Sequence, residues 1–516
     1  MIALPRLMNR RAFLRAAGAA GLGSLMAERT LAFPHRLLAS EIAPRRPLRI
    51  RGVVRSGGQP LDRVAVSDGI SVVRTAQDGS FELLSDSSRR FAFLSVPAGY
   101  ELPIGANGTA AMFAPLHPGE GEERTLAWDL VPLDGSDEEH AFLLLADPQT
   151  LDMDDVGRFH AETVPDIQQT VAALGEVPLF GVGCGDLMFD RLELFPQYEE
   201  AVRRTGIPFF QVLGNHDVEI LARTDEASAR TFQQHFGPTY YSFNRGAVHY
   251  VVMDDVFWFG GGYLGYLDEV QLTWLRADLE SLEPGQVVVL FMHIPPYSTQ
   301  HERQNAARPT PNLVVANREA LYRLLEPYEA HVIVGHMHEL EHLLDGGIAL
   351  HVCGAVCGAW WTGDICGDGT PNGYGIFTVR GEELSWQYKS THMALDHQMR
   401  VYTRGTDPAA PDEIVANVWD WDPSWEVVWI EDGIHKGRMA RRTGMDPLSV
   451  ALHIGPERPV KHSWVEPVPT AHLFYAPVAE GAGEILVEAT DGRGRTVTAK
   501  PESVLGRSRS SSSSAW

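Results

Sequence analysis

Five short stretches of this chain set metal-binding side chains where an apolar run stops. They are Asp147-Pro148-Gln149, Gly185-Asp186, Gly214-Asn215-His216-Asp217, His293 and Gly335-His336-Met337-His338. The runs that carry them read FLLLAD, PLFGVGCGD, PFFQVLGNHD, VVVLFMH and VIVGHMH. Short unbroken apolar runs predict strands buried on both faces. Open α/β sheets form their crevices at the carboxyl ends of such strands, so ligands placed there converge. Two aspartates, amide-bearing residues and several histidines then suit a pair of divalent cations.

Each side chain has an expected part. Asp186 ends its run beside Gly183 and Gly185, so its carboxylate faces a cavity unobstructed and can bridge two cations. Asp147 holds one ion. His336 and His338 lie two apart, and in extended backbone side chains two apart share a face. Pro295 and Pro296 fix the turn behind His293. Asn215 offers a neutral oxygen. His216 points toward the reacting group, with Asp217 expected to hold one of its ring nitrogens. His249 and His331 read instead as satisfied core histidines.

Together these motifs resemble the calcineurin-like metallophosphoesterase family over roughly 142–338. The resemblance implies a four-layer α/β (α+β) sandwich, two sheets between helices, with a dinuclear centre at one edge. It implies two divalent ions, Mn, Fe, Zn or Mg. Asp147, Gln149, Asp186 and His338 would hold the first, and Asp186, Asn215, His293 and His336 the second. His216 matches the family's catalytic histidine, with Asp217 as its partner. Gln149 departs from the histidine many members carry, and an amide oxygen is a weaker, harder ligand. The implied chemistry is hydrolysis of a phosphate diester or monoester by a metal-bound hydroxide, with His216 assisting the departing alkoxide.

The flanks read as β structure. At 516 residues the chain exceeds what one core supports. We expect an N-terminal β-sandwich over 48–133, the metallophosphoesterase domain over 139–398 and a C-terminal β-rich domain over 399–503. The strands RIRGVV, GSFEL and FAFLSV, punctuated by Gly and Asp-Gly turns, carry the first of these. Helical spacing recurs over 166–174, 192–204, 226–236, 268–282 and 318–325. In the fourth, Trp274 reads as packing. ALHVCGAVCGAWW, YGIFTVRG and ELSWQYKS extend the sheets, and a serine-rich disordered tail occupies 504–516.

Asn9-Arg10-Arg11 precedes a short Ala/Gly-rich apolar run, which resembles a twin-arginine export signal over 1–40. That places the protein in the periplasm or outside the cell, with the export machinery as a partner and no integral membrane segment. Such export carries folded proteins, which suits metal loading before transit. The net charge of −24 argues against a nucleic-acid scaffold binder and leaves a small phosphate ester or a cell-envelope substrate. Cys353, Cys357 and Cys366 do not follow a zinc spacing, and a disulfide among them stays open. Trp360 and Trp361 offer an apolar wall for a leaving group, or one of them plugs the sheet edge. Asn244, Tyr297 and Asp254 are further rim candidates. The competing readings are a non-catalytic binding or scaffold protein on the same fold and a carbon–nitrogen hydrolase; the Asn-His-Asp trio favours phosphoryl chemistry.

Overall fold

The computed structural model describes residues 45–116, 122–456 and 458–504. The export-signal reading and the serine-rich tail beyond residue 504 lie outside them. Among the described residues no helix is long and apolar enough to cross a membrane.

Two sheets position the site. The first is built from β1 (Glu139–Leu145), β2 (Leu179–Cys184) and β3 (Phe209–Val212). The second holds β4 (Tyr241–Arg245), β5 (Val248–Val252), β6 (Val287–Phe291), β7 (Glu329–Val334), β8 (Glu341–Asp345) and β9 (Ile348–Val352). The hairpin β10 (Gly373–Arg380) and β11 (Glu383–Ser390) then returns to the first sheet. Strand order is β3-β2-β1-β10-β11 in one sheet and β4-β5-β6-β7-β9-β8 in the other. β1, β2 and β3 run parallel, as do β5, β6, β7 and β9; antiparallel strands close the edges. The apolar runs therefore do what unbroken hydrophobicity requires, since β2, β3, β5 and β6 are buried almost throughout.

The sheets face each other across an aromatic layer. Phe142 of β1 meets Phe291 of β6 edge-on at 5.5 Å and stacks on Phe377 of β10 at 4.8 Å. Phe180 of β2 meets Tyr250 of β5 at 5.2 Å, and Phe210 of β3 stacks on Phe243 of β4 at 3.9 Å. Edge-to-face pairs of this kind add about 0.5–1.5 kcal/mol each beyond area burial. Helices α1 (Val164–Leu174) and α2 (Phe195–Thr205) pack together, and Tyr198 of α2 lies over Gly183 of β2. Helices α3 (Glu269–Leu279) and α4 (Arg318–Leu325) pair likewise. Trp274 of α3 is fully buried against Phe93 and Tyr240, a packing residue as its spacing suggests.

Strands Pro47–Ser56, Ser80–Asp86 and Glu123–Asp129 form most of one N-terminal sheet, and Ala65–Ser67 and Phe91–Leu94 pair in a second. Their buried residues join the core of the two central sheets in one continuous cluster. The C-terminal strands build a five-stranded and a four-stranded sheet over a separate apolar cluster that includes Val401, Val418 and Val487. All four cysteines are free and buried in the structure.

His140 opens β1 with both ring nitrogens engaged, Nδ1 donating to the Asp137 carbonyl at 2.8 Å and Nε2 accepting from the Tyr250 hydroxyl at 2.5 Å. Burial pushes its imidazolium down from 6.5 to about 4, and Arg245 adds to this. The folded value lies below the unfolded one. The stabilisation from a neutral His140 is therefore complete above pH 6.5 and is lost as pH falls toward 4. Urea unfolding should lose about 2–3 kcal/mol from this group between pH 7 and pH 4.5. His140→Gln should show a correspondingly shallower loss over the same interval.

Candidate metal centre

Every sequence-predicted ligand sits just past a strand end. Asp147 and Gln149 follow β1, Asp186 follows β2, Asn215 and His216 follow β3, His293 follows β6, and His336 and His338 follow β7. The chain turns sharply there. Asp147, Gln149, Asp186, His336 and His338 all have positive φ, between 39° and 70°. Non-glycine residues rarely hold this conformation, and such strain concentrates at functional sites. The expected reason for the pairing of His336 and His338 is corrected here. Their backbone is left-handed, not extended, and the two imidazoles diverge toward different partners.

Two glycines make the close approach feasible. A Cβ on Gly214 would lie 1.9 Å from the Asp186 amide nitrogen. A Cβ on Gly335 would lie 2.6 Å from Asp147 Oδ2. Only a bare backbone lets these loops meet.

Around His293 Nε2 stand Asn215 Oδ1 at 3.2 Å, His336 Nδ1 at 3.2 Å and Asp186 Oδ1 at 3.3 Å. Donors roughly 2.0–2.1 Å from one tetrahedral ion lie about 3.3 Å apart, so this spacing is that of a coordination shell. Protons reinforce the point. His293 Nδ1 faces the Cys184 carbonyl at 3.0 Å, His336 Nε2 the Asn312 carbonyl at 2.8 Å and His338 Nδ1 the Gly358 carbonyl at 2.9 Å. A carbonyl only accepts, so each ring spends one N–H outward and turns its other nitrogen inward. Two ring nitrogens 3.2 Å apart beside a carboxylate need a positive charge between them, a proton or a metal cation.

The second half of the cluster surrounds Asp147 and Gln149. His338 Nε2 stands 3.5 Å from Asp147 Oδ1 and, though buried, makes no hydrogen bond. Gln149 donates through Nε2 to Asp186 Oδ2 at 2.6 Å, which leaves its buried Oε1 without a partner. These two orphaned acceptors, in a site of buried carboxylates, are what a further cation would satisfy. The donor set therefore fits two ions that share Asp186.

The electrostatics agree. Burial alone would lower the His293 imidazolium, but Asp186 beside it outweighs this and holds it up to about 10, so a proton occupies Nε2 until a metal cation displaces it. Burial and the neighbouring His293 push His336 down to about 4. Burial would raise the Asp186 carboxyl, yet His293 and His216 hold it well below the usual carboxylate range. The pocket favours positive charge.

His216 lies at the mouth. Its backbone N–H donates to Asp186 Oδ1 at 2.8 Å, and its Nε2 stands 4.0 Å from Asp186 Oδ2. Its Nδ1 meets Asp190 Oδ1 at 2.8 Å, so Asp190, not Asp217, is its partner. Asp217 turns the other way and accepts backbone N–H groups of Leu187, Met188 and Gly214 at 3.0–3.1 Å. It clamps the Asp186 loop to the Gly214 loop. Asp255 was also missed: it accepts from the backbone N–H of His293 and Ile294 at 3.2 and 2.9 Å. It ends an apolar run like the ligands do, which is the signal that was there to use.

The rim candidates separate. Trp360 stacks on His338 at 4.0 Å, while Trp361 is buried with Nε1 donating to the Pro148 carbonyl at 2.9 Å. One tryptophan faces the site and the other plugs the loop. Asn244 pairs in register with His249 near the start of β5, away from the carboxyl ends, and binds Ser95, Val96 and His249. It fastens the N-terminal sandwich. Tyr297 bonds Glu302 and lies under Arg318 at 5.1 Å, outside the ligand cluster. Asp254 docks its backbone on Gln271 of α3. His249 bridges Asn244 and Asp278, a satisfied core histidine as expected.

Family models place the chain. The model described as calcineurin-like phosphoesterase matches residues 140–340, the one for its N terminal matches 48–131, and the one for its C terminal matches 351–497. Together they span most of the chain, which belongs to the calcineurin-like phosphoesterase family, hydrolases of phosphate esters that use a dinuclear metal centre. Among curated proteins it is similar to purple acid phosphatase 15 of Arabidopsis thaliana, 30% identical over 26% of this chain and 25% of that one. It is also similar to serine/threonine-protein phosphatase CPPED1 of Danio rerio, 30% identical over 30% of this chain and 56% of that one. The chain thus spans a quarter to about half of the length of these relatives. Among solved structures, a dimetal phosphatase from Danio rerio is 15% identical over 49% of this chain and 96% of its own, with a TM-score of 0.35. A purple acid phosphatase from yellow lupin is 12% identical over 67% of each chain, with a TM-score of 0.36. The fold assignment stands on the strand order and the family match.

Asp186→Ala removes the carboxylate common to both halves. Elemental analysis should find metal occupancy abolished, and added manganese should no longer raise its melting temperature as it does for the wild type. Asp190→Asn, which touches no ligand, should retain its metal.

Proposed function

We propose that this protein is an exported, metal-dependent phosphoesterase that hydrolyses a phosphate diester or monoester. The observation that carries the reading is the set of inward-facing ring nitrogens of His293, His336 and His338 around Asp186, with His216 at its edge. Asp147, Gln149, Asp186 and His338 would hold one divalent ion, and Asp186, Asn215, His293 and His336 the other. When bound, two such ions neutralise phosphoryl oxygens and make a water molecule acidic enough to react near neutral pH.

The chain's own residues do the rest. Asp190 fixes the ring of His216 through Nδ1 and supports its protonated form. Burial lowers the His216 imidazolium, but Asp186 and Asp190 together raise it above its ordinary value. A protonated Nε2 at the mouth can then deliver its proton to the leaving oxygen. Asp217 keeps the two loops in register, so His216 stays beside Asp186. The twin-arginine pattern at Arg10-Arg11 supports export.

The purified protein should hydrolyse a chromogenic diester or monoester in the presence of manganese and lose that activity to a chelator. Activity on neither ester with metal bound would leave a binding protein instead. His216→Ala should lower kcat by roughly 10²–10⁴ with metal content unchanged. Asp190→Asn should lower it by about 10–100-fold, the range for a residue that orients another. Full activity in His216→Ala would refute the assignment.

A further inference from the structure

A segment far along the chain reaches the mouth of the site. Lys461 to Trp464 lie between helix Pro447–His453 and strand Pro469–Pro477 of the C-terminal region. Lys461 Nζ bonds Asp152 at 3.0 Å and Asp155 at 2.6 Å. Those aspartates open the helix that follows the Asp147–Gln149 loop, so the segment is tied down beside the metal centre.

From there the rings form a continuous arc. Trp360 stacks on His338 at 4.0 Å and meets Trp464 at 4.6 Å with planes 64° apart. Trp464 meets His462 at 5.6 Å and 72°, and His462 meets Phe189 at 5.6 Å and 83°. Phe189 lies 4.5 Å from His216. The arc begins at His338 and ends at His216, the histidine at the mouth of the site. Trp464 is 46% exposed, and Phe189, Trp360 and His462 are only partly buried. A partly exposed run of rings beside a polar site on a chain of net charge −24 is the kind of apolar patch that marks a binding surface.

We propose that Phe189, Trp360, His462 and Trp464 form the leaving-group subsite, and that it takes a planar aromatic group. This rests on the phosphoesterase reading above. A leaving group on the His216 side of the site would lie beside Phe189, because Phe189 and His216 are in contact. Rings set at steep angles offer a flat ring docked against them both faces and edges, where an alkyl chain gains only buried area. Lys461 is a positioning residue, since it anchors the segment and carries no ring. An aryl alcohol and a nucleoside share the required chemistry.

The test compares 2-naphthyl and n-butyl phosphate esters, as monoesters and as methyl diesters, with adenosine 5′-monophosphate alongside, on the manganese-loaded enzyme. Trp464→Ala and His462→Ala should lower kcat/KM for the naphthyl ester about tenfold, equivalent to about 1.4 kcal/mol, and leave the butyl ester within about twofold. Ile434→Ala, at a 63% exposed strand residue, should change neither. A fall confined to the naphthyl ester identifies an aryl alcohol; one shared by the adenosine ester extends the class to nucleosides. An unchanged naphthyl-to-butyl ratio overturns the proposal, because lost packing alone would depress both esters equally. Calorimetric titration with 2-naphthylphosphonate reads the subsite without turnover. If the wild type hydrolyses none of these esters, the phosphoesterase reading falls. The subsite then still stands if Trp464→Ala weakens phosphonate binding about tenfold, and falls if binding is absent or equal.

Discussion

Three backbone carbonyls set the orientation of the histidines in the candidate metal centre. Cys184, Asn312 and Gly358 each take the N–H of a histidine, and so dictate which nitrogen of His293, His336 and His338 faces inward. Without them each imidazole could turn its own proton toward the carboxylates and satisfy the site internally. With them, the pocket is left short of positive charge and holds buried acceptors that no protein donor reaches. The two central sheets, the left-handed ligand residues and the glycines at 214 and 335 all bring those carbonyls and rings into place.

The aromatic layer between the sheets explains why the loops can sustain strained backbone. Phe142, Phe180 and Phe210 of one sheet meet Tyr250, Phe243 and Phe291 of the other, so the strand ends are fixed before the loops begin. Strained φ values persist only where their surroundings over-determine them. A buried parallel sheet on each side supplies that rigidity.

The gathering of the candidate ligands was legible because each combines two signals in one place, a metal-binding side chain and the end of an apolar run. What failed was inference from adjacency. Asp217 follows His216 directly, yet the turn sends its carboxylate to the backbone of Leu187 and Met188, while Asp190 arrives from another loop. Trp360 and Trp361 look equivalent as a pair, but positive φ at both points the two rings in different directions. Asn244 carried no local sign of which end of its strand it occupied. The ring arc was invisible for a different reason: Lys461, His462 and Trp464 lie in a segment with no periodicity, and only tertiary contact brings them to Phe189 and Trp360.

The route of the chain through the first sheet has a temporal side. β1, which carries Asp147, has β10 as its neighbour, and β10 is synthesised after every ligand. The Gly358 carbonyl that orients His338 is likewise translated after the histidine it serves. A ribosome that has just released Gly335-His336-Met337-His338 has therefore delivered all the donors but not yet the strand that seals them. Pairings this distant form late, because loop closure must precede them. The sheet edge beside Asp147 is complete only once the hairpin β10–β11 has been made.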